Sequence, residues 1–296
     1  MYANLENRQV RPLDCQFEEK EFEQPLNIEL GCKGKVFPAG QFLEGQIGID
    51  AAIFSANRHF WLLWNKTIRP KYRSGVFLSS GLWDFVKQRI DDKRFPKFKC
   101  NLFLQHKRPT FIKRSNGLRY DDWKQPYFRY AIERHQQETL FKLEQKVSSY
   151  AIVVYSCPSF WESEELWKHV ARFELVENTN FARPYDLDEH DVYTFVKGGI
   201  YGKAFSEGPA QIRCVNLLQE VEQRREKELP FAKNTDFIFA LSKNVQEVVK
   251  ESRETFREGY SKIIDSLNIP EQELARNLAQ ILVFTFMTNI SWNICY

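Results

Sequence analysis

The sequence has no pair of cysteines at metal-binding spacing, no long apolar run and no glycine-rich phosphate loop. Cys15, Cys32, Cys100, Cys157, Cys214 and Cys295 stand 17, 68, 57, 57 and 81 positions apart. A structural zinc site needs ligand pairs a few residues apart, and six thiols in 296 residues are too sparse for a disulfide framework. They read as reduced, mostly buried thiols of a cytoplasmic protein. The most apolar stretch, 281–287, is too short to cross a bilayer, so no membrane partner is expected. Residues 1–24 lack the basic-then-apolar pattern of a secretory signal. Without a Walker-type loop, an ATPase acting alone is not expected. Internal repeats and low-complexity tracts are absent as well.

Net charge is also scarce, at +3, but it is unevenly spread. Between Lys66 and Arg119 there are 15 Lys or Arg against Asp84, Asp91 and Asp92, a net +12, which leaves −9 for the remainder. Such asymmetry fits a local electrostatic footprint for a polyanion. What is abundant is apolar and aromatic surface: 43% hydrophobic residues, among them 25 Phe, require a large packed core.

Periodicity places the elements. Leu26-Asn27-Ile28-Glu29-Leu30 alternates as an edge strand would, and 38–48 reads as a short helix followed by a strand at 49–54. His59 to Trp64 is a further apolar run, a helix is expected from about Leu82 to Asp91, and the basic stretch 93–99 reads as a loop. Asn101 to His106 is a short strand, and Tyr150 to Ser156 is the clearest buried one. A helix opened by Pro126 is expected over Tyr127–Lys146, another over Glu162–Arg172, and a strand within His190–Val196. Strand, strand, helix, strand, helix is the order of a compact α/β core. Past Gly208-Pro209 the pattern is helical, at about 211–227, 235–267 and 271–291. A boundary near 208 therefore separates an α/β domain, 1–208, from a C-terminal helical subdomain, 209–296, suited to dimerisation or partner docking.

Two strings carry chemistry. The first is Glu44-Gly45-Gln46-Ile47-Gly48-Ile49-Asp50, a glycine-punctuated approach to an aspartate beside an apolar segment. The second is Leu102-Phe103-Leu104-Gln105-His106-Lys107, an apolar run ending in Gln-x-Lys. Hydrolysis of a phosphodiester needs an activated water and cations to neutralise developing charge, and Mg²⁺ (or Mn²⁺) takes carboxylate and carbonyl oxygens for this purpose. Asp50 is the primary candidate ligand, with Glu44 on the preceding helix. Gln105 offers its side-chain carbonyl, or His106 its backbone carbonyl, at the strand edge. Lys107 is placed to orient the water or stabilise charge on phosphorus. Period two puts Gln105 and Lys107 on one face of their strand and His106, a structural residue, on the other.

Arg108, Lys113 and Arg114, just past the motif, are candidate phosphate contacts. Arg129 and Gln136, seven residues apart on the expected helix, are candidates to grip a phosphate and to orient substrate or buttress the site. Cys157 reads as core.

A helix acid, Gly-x-Asp opening a strand and a strand ending Gln-x-Lys resemble the PD-(D/E)XK nuclease superfamily, especially the Mrr-type restriction endonuclease branch in which glutamine replaces the second acid. The resemblance covers roughly 38–160. It implies a restriction-endonuclease-like mixed sheet flanked by helices, with Asp50 and Gln105 at the metal, Lys107 assisting catalysis and Glu44 in support. The long gap between the strings implies a basic insertion at about 57–98. The implied activity is a metal-dependent DNA endonuclease of restriction or phage-defence type, working as a homodimer or docked to a partner. The alternative is an inactive nuclease-like module that binds nucleic acid or a protein.

Overall fold

A computed structural model describes residues 12–40, 97–113, 119–206, 208–267, 269 and 271–296. Glu44, Asp50, Arg114, the strand at 49–54, the run at 59–64, the helix at 82–91 and all but the last two residues of the basic insertion lie outside the described residues.

The first described elements are β1 (Leu13–Asp14), α1 (Glu19–Gly34) and β2 (Val36–Phe37), followed by β3 (Cys100–His106), β4 (Thr110–Ile112), α2 (Tyr120–Trp123) and β5 (Tyr127–Ala131). Then come α3 (Arg134–Val147), β6 (Ala151–Pro158), α4 (Ser163–Arg172), β7 (Thr179–Ala182), β8 (Val192–Phe195), β9 (Tyr201–Phe205) and β10 (Pro209–Arg213). The chain finishes with α5 (Leu217–Glu226), α6 (Asn234–Glu251), α7 (Glu254–Ser266), α8 (Glu273–Thr288) and β11 (Ser291–Cys295). The fold is mixed α/β. One sheet, β1-β4-β5-β8-β9-β10, is antiparallel throughout. The other has the order β2-β11-β3-β6-β7, in which only β3 and β6 pair in parallel, Gln105 lying opposite Tyr155.

β3 lies inside its sheet and is buried on both faces, which explains its near-continuous apolar run. Cys100, Leu102 and Leu104 join Phe22, Leu26 and Leu30 of α1, Leu166 of α4 and Leu217 of α5 in one core layer. Phe103 faces the other way, into a larger core with Val153, Tyr155, Trp292, residues of the first sheet and the apolar faces of α3, α6 and α8. Each such side chain contributes roughly 1.5–3 kcal/mol relative to exposure. No described helix is long and apolar enough to cross a membrane.

Several expectations need correction. Leu26–Leu30 is not an edge strand but part of α1, because Phe22, Leu26 and Leu30 recur at i, i+4 and i+8 on its buried side. The helix expected from Tyr127 starts only at Arg134. Tyr127–Ala131 is a strand, where Phe128 and Tyr130 gain cross-strand partners in Phe111, Phe195 and Tyr193. The region 211–227 begins as β10, and 235–267 is two helices broken at Ser252, whose hydroxyl donates to the Val248 carbonyl over 2.7 Å. The last helix stops at Thr288, and β11 then inserts between β2 and β3. Residues after 208 thus supply one strand to each sheet and share the larger core with those before it.

Candidate functional site

The site lies where β3 ends. Lys107 is one residue past the strand, yet its backbone nitrogen still donates to Ser156 of β6 over 2.9 Å. Gln105 and Lys107 keep the strand's alternation and point to the same side, as period two requires. One side chain holds both. Gln136, in the first turn of α3, accepts from Lys107 Nζ over 2.7 Å and donates from Nε2 to Gln105 Oε1 over 2.8 Å. The same nitrogen donates to the Thr288 carbonyl at the end of α8 over 3.0 Å. Gln105 Nε2 donates to the His106 carbonyl over 3.1 Å. These bonds assign both amides, since a flipped Gln136 would set its oxygen against two acceptors.

Lys107 is 9% exposed. Burial pushes its pKa down, while Glu133, Glu19 and the Cys157 thiol act against that shift. Glu19, the first residue of α1, shows the converse. Burial pushes its carboxyl pKa up, and Lys107, the Asn289 amide and Arg108 oppose the change. Asn289 Nδ2 donates to Glu19 Oε2 over 3.3 Å. Among the described residues, the helix acid in electrostatic reach of the lysine is thus Glu19, which lies outside both strings that carry the motif. Its only local sign is the acidic run Glu18-Glu19-Lys20-Glu21, an ordinary first turn of a helix. Glu133, immediately before α3, and the Thr288-Asn289 turn were equally unmarked.

The other expected residues divide. Gln136 buttresses the site from α3. Arg129 is on β5 in the antiparallel sheet, paired across to Thr110 and Thr194, so it does not share a helix face with Gln136. Arg108 donates to Glu18 Oε2 over 3.0 Å and to the Cys15 carbonyl over 2.8 Å, while Lys113 is exposed. His106 faces away from the site, toward α1: its ring meets Phe22 edge-on at 5.9 Å, and its Nε2 lies 3.3 Å from Ser291 Oγ, which itself donates to Glu23. That pattern requires the neutral Nε2–H tautomer, and burial lowers the His106 pKa to about 4. Cys157 is fully buried, and burial drives its thiol pKa well up, as a core residue rather than a nucleophile.

Among the described residues, no three His, Cys, Asp or Glu side chains gather as a metal site would need. The oxygen donors around Lys107 are the Glu133 and Glu19 carboxylates, the Gln136 oxygen that accepts from it and the Gln105 amide oxygen, already bonded once to Gln136. Mg²⁺ takes one or two carboxylates and keeps several waters. The arrangement places one buried cation, Lys107, at the carboxyl end of a parallel strand, where ligands of α/β sheets commonly bind. No protein-family model, curated protein or solved structure matches the chain.

Proposed function

We propose that this chain is a metal-dependent DNA endonuclease with a restriction-endonuclease-like fold, of the kind that serves in restriction or phage defence. The observation that carries the reading is the clamp of Gln136 on Gln105 and Lys107 at the end of β3, with Glu19 in electrostatic reach. A divalent ion, Mg²⁺ or Mn²⁺, would be held by Glu19, Gln105 and Asp50, with Glu44 in support. It would supply Lewis-acid stabilisation of the phosphate and a more acidic water. Lys107, fixed by Gln136, orients that water and meets negative charge growing on phosphorus. Lys113, Arg108 and Arg114 steady the flanking phosphates. Cleavage of both strands calls for two sites, hence a homodimer or a docked partner.

A second reading, an inactive nuclease-like module that binds nucleic acid, draws on one feature. Both ends of the Gln105 amide are engaged within the protein. Supercoiled plasmid incubated with the full chain and Mg²⁺ or Mn²⁺ separates the two. The nuclease nicks or linearises it, and Lys107→Ala and Asp50→Ala each lose about 100-fold or more, as a removed electrostatic contact does. DNA binding without cleavage in either metal establishes the inactive module.

A further inference from the structure

A cavity of about 380 Å³ has Gln136 among its lining residues. Its walls are α3, the α6–α7 junction and the last turn of α8, and Gln136 and Thr288 belong both to it and to the Lys107 site. The volume falls in the range of small-molecule sites, about 300–1,000 Å³.

The lining has two characters. Lys142 and Arg253 form a basic side, and Phe256 and Met287 an apolar one. Glu138 is the one acid among the lining residues, and Arg253 already balances it, with bonds of 2.8 and 3.3 Å. Lys142 donates to the Glu251 carbonyl over 2.6 Å and shares the Glu138 carboxylate electrostatically with Arg253, so Lys142 and Arg253 together face one acid in the lining. α7 begins at this wall with no side-chain cap from Arg253, leaving first-turn amides on the Thr255–Phe256 side without an intrahelical acceptor. An anion of phosphate type suits the basic side, and a flat ring suits Phe256 and Met287.

We propose that this cavity binds a nucleoside phosphate. Its placement as the seat for the nucleotide next to the cleaved bond rests on the nuclease reading; its chemistry does not. Because Gln136 is a shared wall, an occupant there touches the residue that positions Lys107.

Isothermal titration of the full chain with deoxynucleoside 5′-monophosphates, inorganic phosphate and a 5′-phosphorylated oligonucleotide tests this. The nucleotide should bind more tightly than phosphate alone. Arg253→Ala and Lys142→Gln should weaken both by about tenfold or more, the effect of losing one charge-assisted contact. Phe256→Leu, which keeps most of the volume, should weaken the nucleotide and spare phosphate. Displacement of the mononucleotide by the oligonucleotide identifies a unit of a strand as the occupant, and failure to displace it identifies a free nucleotide. No nucleotide binding by the wild type, or affinities unmoved by Arg253→Ala and Phe256→Leu, overturns the assignment. Plasmid cleavage is read on the same samples. Nucleotide binding without cleavage sinks the nuclease alone, and cleavage without nucleotide binding sinks the cavity assignment alone.

Discussion

Gln136 Nε2 donates to Gln105 Oε1 over 2.8 Å, joining the first turn of α3 to the end of β3 across 31 positions. With its other bonds to Lys107 and Thr288, this amide uses both donors and its acceptor, so no conservative replacement reproduces it.

Gln136→Glu should therefore separate structure from chemistry. The carboxylate still accepts from Lys107 but leaves Gln105 Oε1 and the Thr288 carbonyl without a donor, at a cost of about 1–3 kcal/mol in chemical denaturation. An added negative charge beside Lys107 raises its pKa, so any alkaline limb of the cleavage profile set by Lys107 moves to higher pH. An unmoved limb removes Lys107 from the titrating groups.

Glu19→Gln should trade activity for stability. The carboxyl pKa is raised in the folded state, so the native protein holds this proton more tightly than the unfolded chain does. Its contribution to stability is full below the ordinary carboxylate pKa and is lost as pH rises through the folded value. At pH 7 the ionised group is a net burden. The variant should melt at a higher temperature than the wild type near neutrality while cleaving plasmid far more slowly. A lower melting temperature contradicts the assignment.

His106 should make the fold acid-sensitive. Its folded pKa of about 4 lies below the unfolded value of 6.5, so the unfolded state binds the extra proton first. Stability is full above about pH 6.5 and falls as pH drops through the folded value, by up to roughly 3 kcal/mol. Burial raises the Glu23 carboxyl, but His106 once protonated, Lys20 and Ser291 bring it below its ordinary value, which adds loss at lower pH still. Denaturant midpoints at pH 7 and pH 4.5 should differ less for His106→Leu than for the wild type; an equal difference would falsify this origin.

Gly202 has no space for a side chain. A Cβ there would stand 2.0 Å from the Tyr193 hydroxyl and 2.2 Å from Cζ of the same buried ring. Gly202→Ala should destabilise by at least about 1–3 kcal/mol, because a packed aromatic ring cannot step aside without disturbing its neighbours. A thermal midpoint equal to the wild type's rules this out.

The strands β3 and β6 are legible from local patterning, because each is a short apolar run with clear stops. So is the shared face of Gln105 and Lys107, which follows from strand period alone. Gln136 is legible as a candidate buttress, though the helix that carries it is shorter than the periodicity predicts. Leu26–Leu30 is ambiguous in principle: apolar residues at 26, 28 and 30 satisfy a period of two, while Phe22, Leu26 and Leu30 satisfy helical spacing. Packing chose the helix, leaving Ile28 exposed.

Glu19 could not be read from the chain, since it stands 88 positions before Lys107 and resembles any acid in a first helical turn. The insertion of β11 beside β3 was equally hidden, and with it the Thr288–Asn289 turn that completes the surroundings of Gln136. Short-range pattern specifies which way a side chain points along its own element, because backbone geometry repeats every two or 3.6 residues. Which elements meet is specified by burial shared among distant segments, and here that shared burial brings Glu19, Gln105, Lys107 and Gln136 to one end of a strand.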